Sequence, residues 1–257
     1  MKLRKYIQFA FLYIVIQAIG MAIMYYGLGA QYGSPEMTPI VFWSEVVLSL
    51  LVLYYIRRYA SWREVGFGEF KWVRVLWIAP ILLLSLVSLV NVFTMIASAD
   101  PSSQEIIGVV IVGVMTLLVG FAEETMFRGI LLRGAMARHN VFLAMLISAV
   151  GFSLLHSINI FGGEPATSVA TQMFSTLLYG LFMAPMALLV GNLIPLIIAH
   201  FLWDFVLLAP GQVASITAAP VSYALAQSLI IPVQFVMMIA GWVAIYVLWR
   251  RGQFQNK

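Results

Sequence analysis

The chain contains no cysteine in its 257 residues. That excludes a disulfide framework, a thiolate metal site and a thiol nucleophile. Charge is nearly as scarce: 9% of the residues are Asp, Glu, Lys or Arg, against 63% hydrophobic. Soluble domains run near 45–50% apolar and about 25% charged, so lipid is the solvent for most of this chain. There is no serine-centred nucleophile signature, no phosphate-binding glycine loop and no His-Glu-x-x-His zinc helix. No internal repeat and no low-complexity segment interrupts the pattern. The net charge of +4 does not mean nucleic acid, because the 14 basic residues are scattered between apolar runs and form no patch.

What is present is a succession of apolar runs. Each is near the roughly 20 residues that a bilayer-crossing helix needs. The first covers Tyr6 to about Ala30, too long for a signal peptide and without a small-residue cleavage site behind it. The second runs from Pro39 to Ile56 and holds one acid, Glu45, either interfacial or paired within the bundle. A polar connection with Arg57, Arg58, Arg63, Lys71 and Arg74 follows, and Trp62 and Trp72 there suit an interface. The third span is Val73 to Ala97. Asp100-Pro101-Ser102-Ser103 is a turn and a helix N-cap. The fourth starts near Glu105 and continues to about Arg138, and the fifth covers Val141 to Ser157. Asn159 to Thr167 reads as a loop, Ser168 to Val190 as the sixth span. A break at Gly191-Asn192 leads to the seventh, Leu193 to Ala209, and the eighth is Ser222 to Arg250.

The expected fold is therefore an all-α, polytopic membrane bundle of about eight transmembrane helices. It forms a single membrane domain over 1–257, with a core of the fourth to seventh helices over 105–209. Charge sets the expected orientation. Lys2, Arg4, Lys5, the five basic residues at 57–74, Arg128, Arg133, Arg138, Arg250, Arg251 and Lys257 all fall on the N-terminal side of the membrane. Glu36, Asp100, Glu105 and Glu164 fall in the other connections. Basic residues collect on the cytoplasmic side, which predicts N-in and C-in.

Against this background Glu123-Glu124-Thr125-Met126-Phe127-Arg128 is costly, since ionisable residues at bilayer depth mark functional sites. Glu124 and Arg128 are four apart and share a helix face, which predicts an ion pair. Glu123 lies about 100° round the helix and is left free to act as a general base. In the competing reading both acids pair with Arg128. The fourth and fifth helices form a hairpin whose midpoint is His139-Asn140, so Glu123 and His156 reach similar depth on facing helices. Phe152 lies one turn before His156 and either walls a pocket or packs. His200 and Asp204 share a face one turn apart, where a carboxylate can orient an imidazole. His139, in the turn with arginines, reads as surface.

Two chemistries fit these residues. Glu123 and His156 could hold and deprotonate a water while His200 stabilises an oxyanion. Alternatively Glu123, His156 and His200, with Asp204, could ligate a zinc ion carrying the water. The spacing leaves both open.

The stretches Glu123-Glu124-Thr-Met-Phe-Arg128, Phe152-Ser-Leu-Leu-His156 and His200-Phe-Leu-Trp-Asp204 resemble the three motifs of the CPBP intramembrane protease family, also called the Abi or CAAX-protease-like family. Phe127-Arg128-Gly129 fits as well. The resemblance covers about Val109 to Ala209. It implies an endopeptidase with its site in the bilayer, near the cytoplasmic face, acting on a membrane-associated or lipidated protein or peptide. It further implies that Glu123 and His156 activate water and that His200 with the last motif residue forms the oxyanion site. Glu124, Arg128 and Phe152 would support them. Relatives of the prenyl-protease type carry Asn where this chain has Asp204. An ionised Asp cannot donate to an oxyanion, so Asp204 orients His200, is protonated or binds a metal. The expected setting is the plasma membrane of a prokaryote, with the lipid bilayer as partner and no nucleic acid. A non-catalytic immunity or scaffold protein and a proton-coupled transporter are the rival classes; the complete motif set argues against the first, the lack of repeats against the second.

Overall fold

The computed structural model describes residues 5–216 and 218–254. Lys2, Arg4 and Lys257, used in the charge pattern, lie outside them. Eight helices are long and apolar enough to cross a bilayer: α1 (Tyr6–Gly27), α2 (Met37–Tyr59), α3 (Ala79–Ser98), α4 (Ser103–Met136), α5 (Val141–Gly162), α6 (Ala166–Val190), α7 (Ile194–Gln212) and α8 (Val221–Arg250). The expected all-helical architecture with eight spans is observed. Among the described residues there is no strand, only an isolated bridge between Phe67 and Asn192.

Local sequence accounts for the ends. At the start of α4, Ser102 Oγ accepts from the Glu105 N–H at 3.3 Å and Glu105 Oε2 accepts from the Ser102 N–H at 2.8 Å. This reciprocal cap satisfies donors that a helix start otherwise leaves open. Asn140 Oδ1 caps α5 through the Leu143 N–H at 2.9 Å. Gly191, at φ +76°, ends α6 in the left-handed region that a side chain resists.

Three expected elements differ in detail. The third span does not begin at Val73: Trp72–Val75 is a separate helical turn, and α3 proper starts at Ala79. Pro80 sits in its first turn, where its missing N–H is harmless, and the residue before a proline disfavours helix. The expected loop from Asn159 begins as the end of a 3-10 helix, His156–Gly162, closed by Gly163 at φ +87°, and α6 already starts at Ala166. Asn159 Nδ2 donates to Gln172 Oε1 at 2.6 Å, which ties this turn to α6. The fourth span is not a uniform α-helix: Ser103–Glu124 is α-helical, and Thr125–Leu131 is π-helical. Leu132 N–H bonds Phe127 O, five residues back, and Ser148 Oγ donates to the same carbonyl at 2.9 Å. A side chain of α5 thus supports the wider turn of α4.

The connections meet in two groups. At one end Leu193 N–H donates to Gly66 O at 3.0 Å and Asn192 Nδ2 to Gly68 O at 2.6 Å. The basic α2–α3 connection and the α6–α7 break therefore lie together. At the other end Tyr32 N–H donates to Gly162 O at 3.0 Å, Ala214 N–H to Glu105 Oε1 at 2.9 Å, and Ser215 Oγ to Ala99 O at 3.1 Å. The only charged residues of this group are acids: Glu36, Asp100, Glu105 and Glu164. Large apolar side chains such as Phe11, Trp43, Leu83, Val110 and Val236 stay exposed on the outer surface, as lipid contact requires.

The proposed N-in, C-in arrangement gives a direct measurement, because the chain has no native cysteine. A cysteine at exposed Ser61 and one at exposed Ser215 should react with a membrane-impermeant maleimide from opposite faces. Ser61→Cys should label only from the cytoplasmic side of oriented vesicles. Labelling of both from one face would remove the eight-span topology.

Candidate active site

Helices α4 and α7 approach closely, and Gly120 permits it. A β-carbon at Gly120 would stand 2.9 Å from Ile197 O and 3.2 Å from Phe201 N. Any side chain would push the two backbones apart, a use of small residues common in membrane helix packing. One turn later the α4 motif faces His200.

Glu124 and Arg128 have no exposed surface. Arg128 Nη1 donates to Glu124 Oε1 at 3.1 Å, so the expected intrahelical pair is present. Arg128 is not the sole partner of Glu124. The same Oε1 accepts from His200 Nδ1 at 2.9 Å. Helix angles within α4 cannot reveal this second bond, because it comes from α7. The guanidinium carbon of Arg128 lies 4.1 Å from the Phe152 ring centre and 5.5 Å from that of Tyr179. These faces stabilise a cation away from water.

Glu123 stands apart. Its Oε2 lies 3.7 Å from His200 Nε2, beyond hydrogen-bond length. On the other side of that nitrogen, Asp204 Oδ2 lies at 3.4 Å. Among the described residues Glu123 and His156 share no hydrogen bond. They instead line one cavity of about 380 Å³, together with Phe152, His200 and Asp204. His156 Nδ1 is 3.0 Å from Phe152 O. A carbonyl only accepts, so Nδ1 carries the proton and Nε2 presents a lone pair. Phe152 packs edge-on against His156 at 4.9 Å and His200 at 6.0 Å. It both walls the cavity and supports Arg128. His139 is partly exposed at the α4–α5 turn.

Among the described residues no three His, Asp or Glu groups converge as ligands. Nδ1 of each site histidine is engaged, by Phe152 O or by Glu124, which leaves Nε2 as the nitrogen available to the chemistry.

Three participants escaped the sequence reading. Tyr179 of α6 lines the cavity, with its ring 5.5 Å from that of His200; its only signal was a phenol in an apolar helix. Gly120 sits one turn before Glu124 but resembles any other membrane glycine. Glu45, left between two roles, proves to be paired in the bundle: it is 1% exposed and accepts from Gln17 Nε2 at 2.9 Å. The cavity rim includes the exposed residues Ser175, Leu207 and Ile231, from α6, α7 and α8.

Fold and site together define a polytopic membrane protein with a buried carboxylate–imidazole site open to one cavity. A family model described as Rce1-like, type II CAAX prenyl endopeptidase, matches residues 103–206. That stretch holds all three motifs and α4 through most of α7, and over it the chain is similar to the CAAX prenyl endopeptidase family. No curated protein and no solved structure matches the chain.

The Arg128–Glu124 pair makes a quantitative prediction. Arg128→Met leaves a buried carboxylate without its cation and should cost about 3–5 kcal/mol. Adding Glu124→Gln removes the stranded charge and should recover a good part of the loss, a coupling readable by thermal unfolding in detergent. Simple additivity of the two substitutions would show that the pair is not the anchor of this site.

Proposed function

We propose that the protein is an intramembrane endopeptidase that hydrolyses a peptide bond of a membrane-associated or lipidated protein or peptide. The observation that carries this reading is the inequality of the three carboxylates around His200. Glu124 is committed to Arg128 and His200, and Asp204 lies one turn from His200 on the same helix. Glu123 and Asp204 both line the cavity, and Glu123, 3.7 Å from His200 Nε2 against 3.4 Å for Asp204, is beyond hydrogen-bond length. A carboxylate with free lone pairs beside a cavity that admits water can serve as a general base.

In this mechanism the water lies between Glu123 and the lone pair of His156 Nε2. Its oxygen attacks the scissile carbonyl carbon while its proton passes to Glu123. The carbonyl oxygen becomes an oxyanion, and His200, as an imidazolium with Nδ1–H on Glu124, donates its Nε2–H to it. Asp204 accepts and orients; it has no proton to give when ionised. Collapse of the tetrahedral species breaks the C–N bond, and the leaving amine takes the proton held by Glu123. Phe152, Glu124 and Arg128 hold the two imidazoles in place and touch no reacting atom.

The family's printed description names a prenyl endopeptidase. The exposed rim between α6, α7 and α8 suits a chain whose lipid stays in the bilayer while its backbone reaches Glu123. We further propose that the site serves substrates from the cytoplasmic side, following the charge-based orientation.

The test is hydrolysis of a farnesylated peptide ending in a CAAX sequence by the purified protein in liposomes. Glu123→Ala and His156→Ala should each lower kcat by about 10²–10⁴-fold with the fold intact, the range of positioned acid–base catalysis. A strong chelator should leave the wild-type rate unchanged. Full activity of Glu123→Ala would end the reading, and chelator-sensitive activity restored by zinc would replace its water-activating step. In cells, peptide termini present with wild type and missing with Glu123→Ala would identify the natural substrate.

A further inference from the structure

Gln17 of α1 and Glu45 of α2 belong to none of the three motifs and to no step of the cleavage chemistry. Both nevertheless form part of the wall of the cavity that Glu123 lines. Glu45 is 1% exposed and Gln17 9%. Gln17 Nε2 donates to Glu45 Oε1 at 2.9 Å. That bond turns the amide's donors toward the carboxylate. It leaves Gln17 Oε1 and Glu45 Oε2 without a hydrogen-bond partner. The adjoining wall, Met21, Met37 and Val41, is apolar and supplies no donor.

Two buried acceptors with nothing to accept are a costly arrangement, more so in a membrane span than in a soluble core. A tie between α1 and α2 would need one satisfied bond. It would not need a carboxylate, nor two open oxygens beside a cavity. The cost is recovered when a molecule in the cavity brings donors. With Glu45 ionised the subsite offers acceptors, so it complements N–H groups and repels carbonyls and carboxylates. An extended peptide presents main-chain N–H groups on one edge at every second residue, whatever its side chains.

We propose that Gln17 and Glu45 form a substrate-binding subsite that accepts main-chain N–H groups of an extended peptide lying across the cavity from Glu123. The inference rests on the endopeptidase reading and deepens it. Glu45 is a positioning and binding residue here; it touches no reacting atom. The subsite lies outside the segment that carries the family motifs, so it gives α1 and α2 a part in substrate binding.

The experiment uses the full-length protein in liposomes and the farnesylated CAAX peptide as probe. Glu45→Met, close in size and without an acceptor oxygen, should raise KM about tenfold or more and change kcat by less than about twofold. Glu45→Gln keeps an acceptor and should stay within about threefold of wild type. A set of probe peptides, each N-methylated at one residue, adds a second readout. Wild type should lose about tenfold in KM at one position, and Glu45→Met should lose nothing further there, the signature of a shared contact. If Glu45→Met fails to fold, Gln17→Met takes its place in the same cycle. A kcat or melting-temperature loss with unchanged KM would make Glu45 structural and overturn the subsite. So would a wild type indifferent to every N-methylation, or a preference confined to lysine-bearing probes. If wild type cleaves the peptide, Glu123→Ala does not, and Glu45→Met matches wild type, the subsite alone fails. If wild type cleaves nothing, the endopeptidase reading fails and the subsite with it.

Discussion

A single carboxylate oxygen, Glu124 Oε1, holds the site together. It accepts from Arg128 on its own helix and from His200 on α7. A guanidinium with no exposed surface within a membrane span is expensive unless it is matched. Here the match comes from several directions: the carboxylate from α4, the ring of Phe152 from α5 and the ring of Tyr179 from α6. Because the same oxygen also takes the His200 N–H, fixing the charge fixes the imidazole. Four helices converge on one ion pair. Gly120 makes the convergence possible, since any β-carbon there would meet the α7 backbone.

This arrangement divides the two adjacent acids between tasks. Glu124 faces α7 at the level of the charge. Glu123, one residue earlier, faces the cavity. The π-helical stretch begins immediately after them, at Thr125. Its wider turn places Phe127 O within reach of Ser148 on α5. That bond locks α5 against α4 at the level from which Phe152 and His156 project. A membrane helix has no water to satisfy a displaced carbonyl, so the hydroxyl of Ser148 is part of what makes the irregular turn stable.

Much of this was legible in the sequence, and the reasons are specific. The spans are visible because lipid imposes length and apolarity on each one separately. The Glu124–Arg128 pair is visible because i,i+4 contact is a property of one helix. The His200–Asp204 relation is visible for the same reason, and the structure places them 3.4 Å apart. Contacts between helices are another matter. Nothing in residues 123–128 says that His200 Nδ1 will bond Glu124, and nothing near Glu45 says that Gln17 is its partner. The α-to-π change leaves no mark in the apolar pattern, and Pro80 was present but not read as the start of α3. The His156–Gly162 turn was hidden because glycine and proline nearby resemble a loop in sequence whichever local hydrogen bonds form.

The acid-rich character of the cavity bears on the kind of chemistry it can perform. Glu45, Glu123 and Asp204 all contribute to its wall, with the guanidinium of Arg128 already taken by Glu124. An oxyanion added to this company in a low-dielectric space would be strongly opposed. The proposed general-base attack avoids the problem. In it, as water loses its proton, Glu123 gains it and becomes neutral. The negative charge leaves the carboxylate and appears on the carbonyl oxygen, so the count of charges in the cavity does not rise. The barrier then depends on how well the new location is served compared with the old. His200 Nε2, 3.7 Å from Glu123 and 3.4 Å from Asp204, stands beside both the carboxylate that gives up its charge and one that keeps it. A donor in that position can follow the charge from Glu123 toward the oxyanion with little movement, which is the preorganisation that electrostatic catalysis requires.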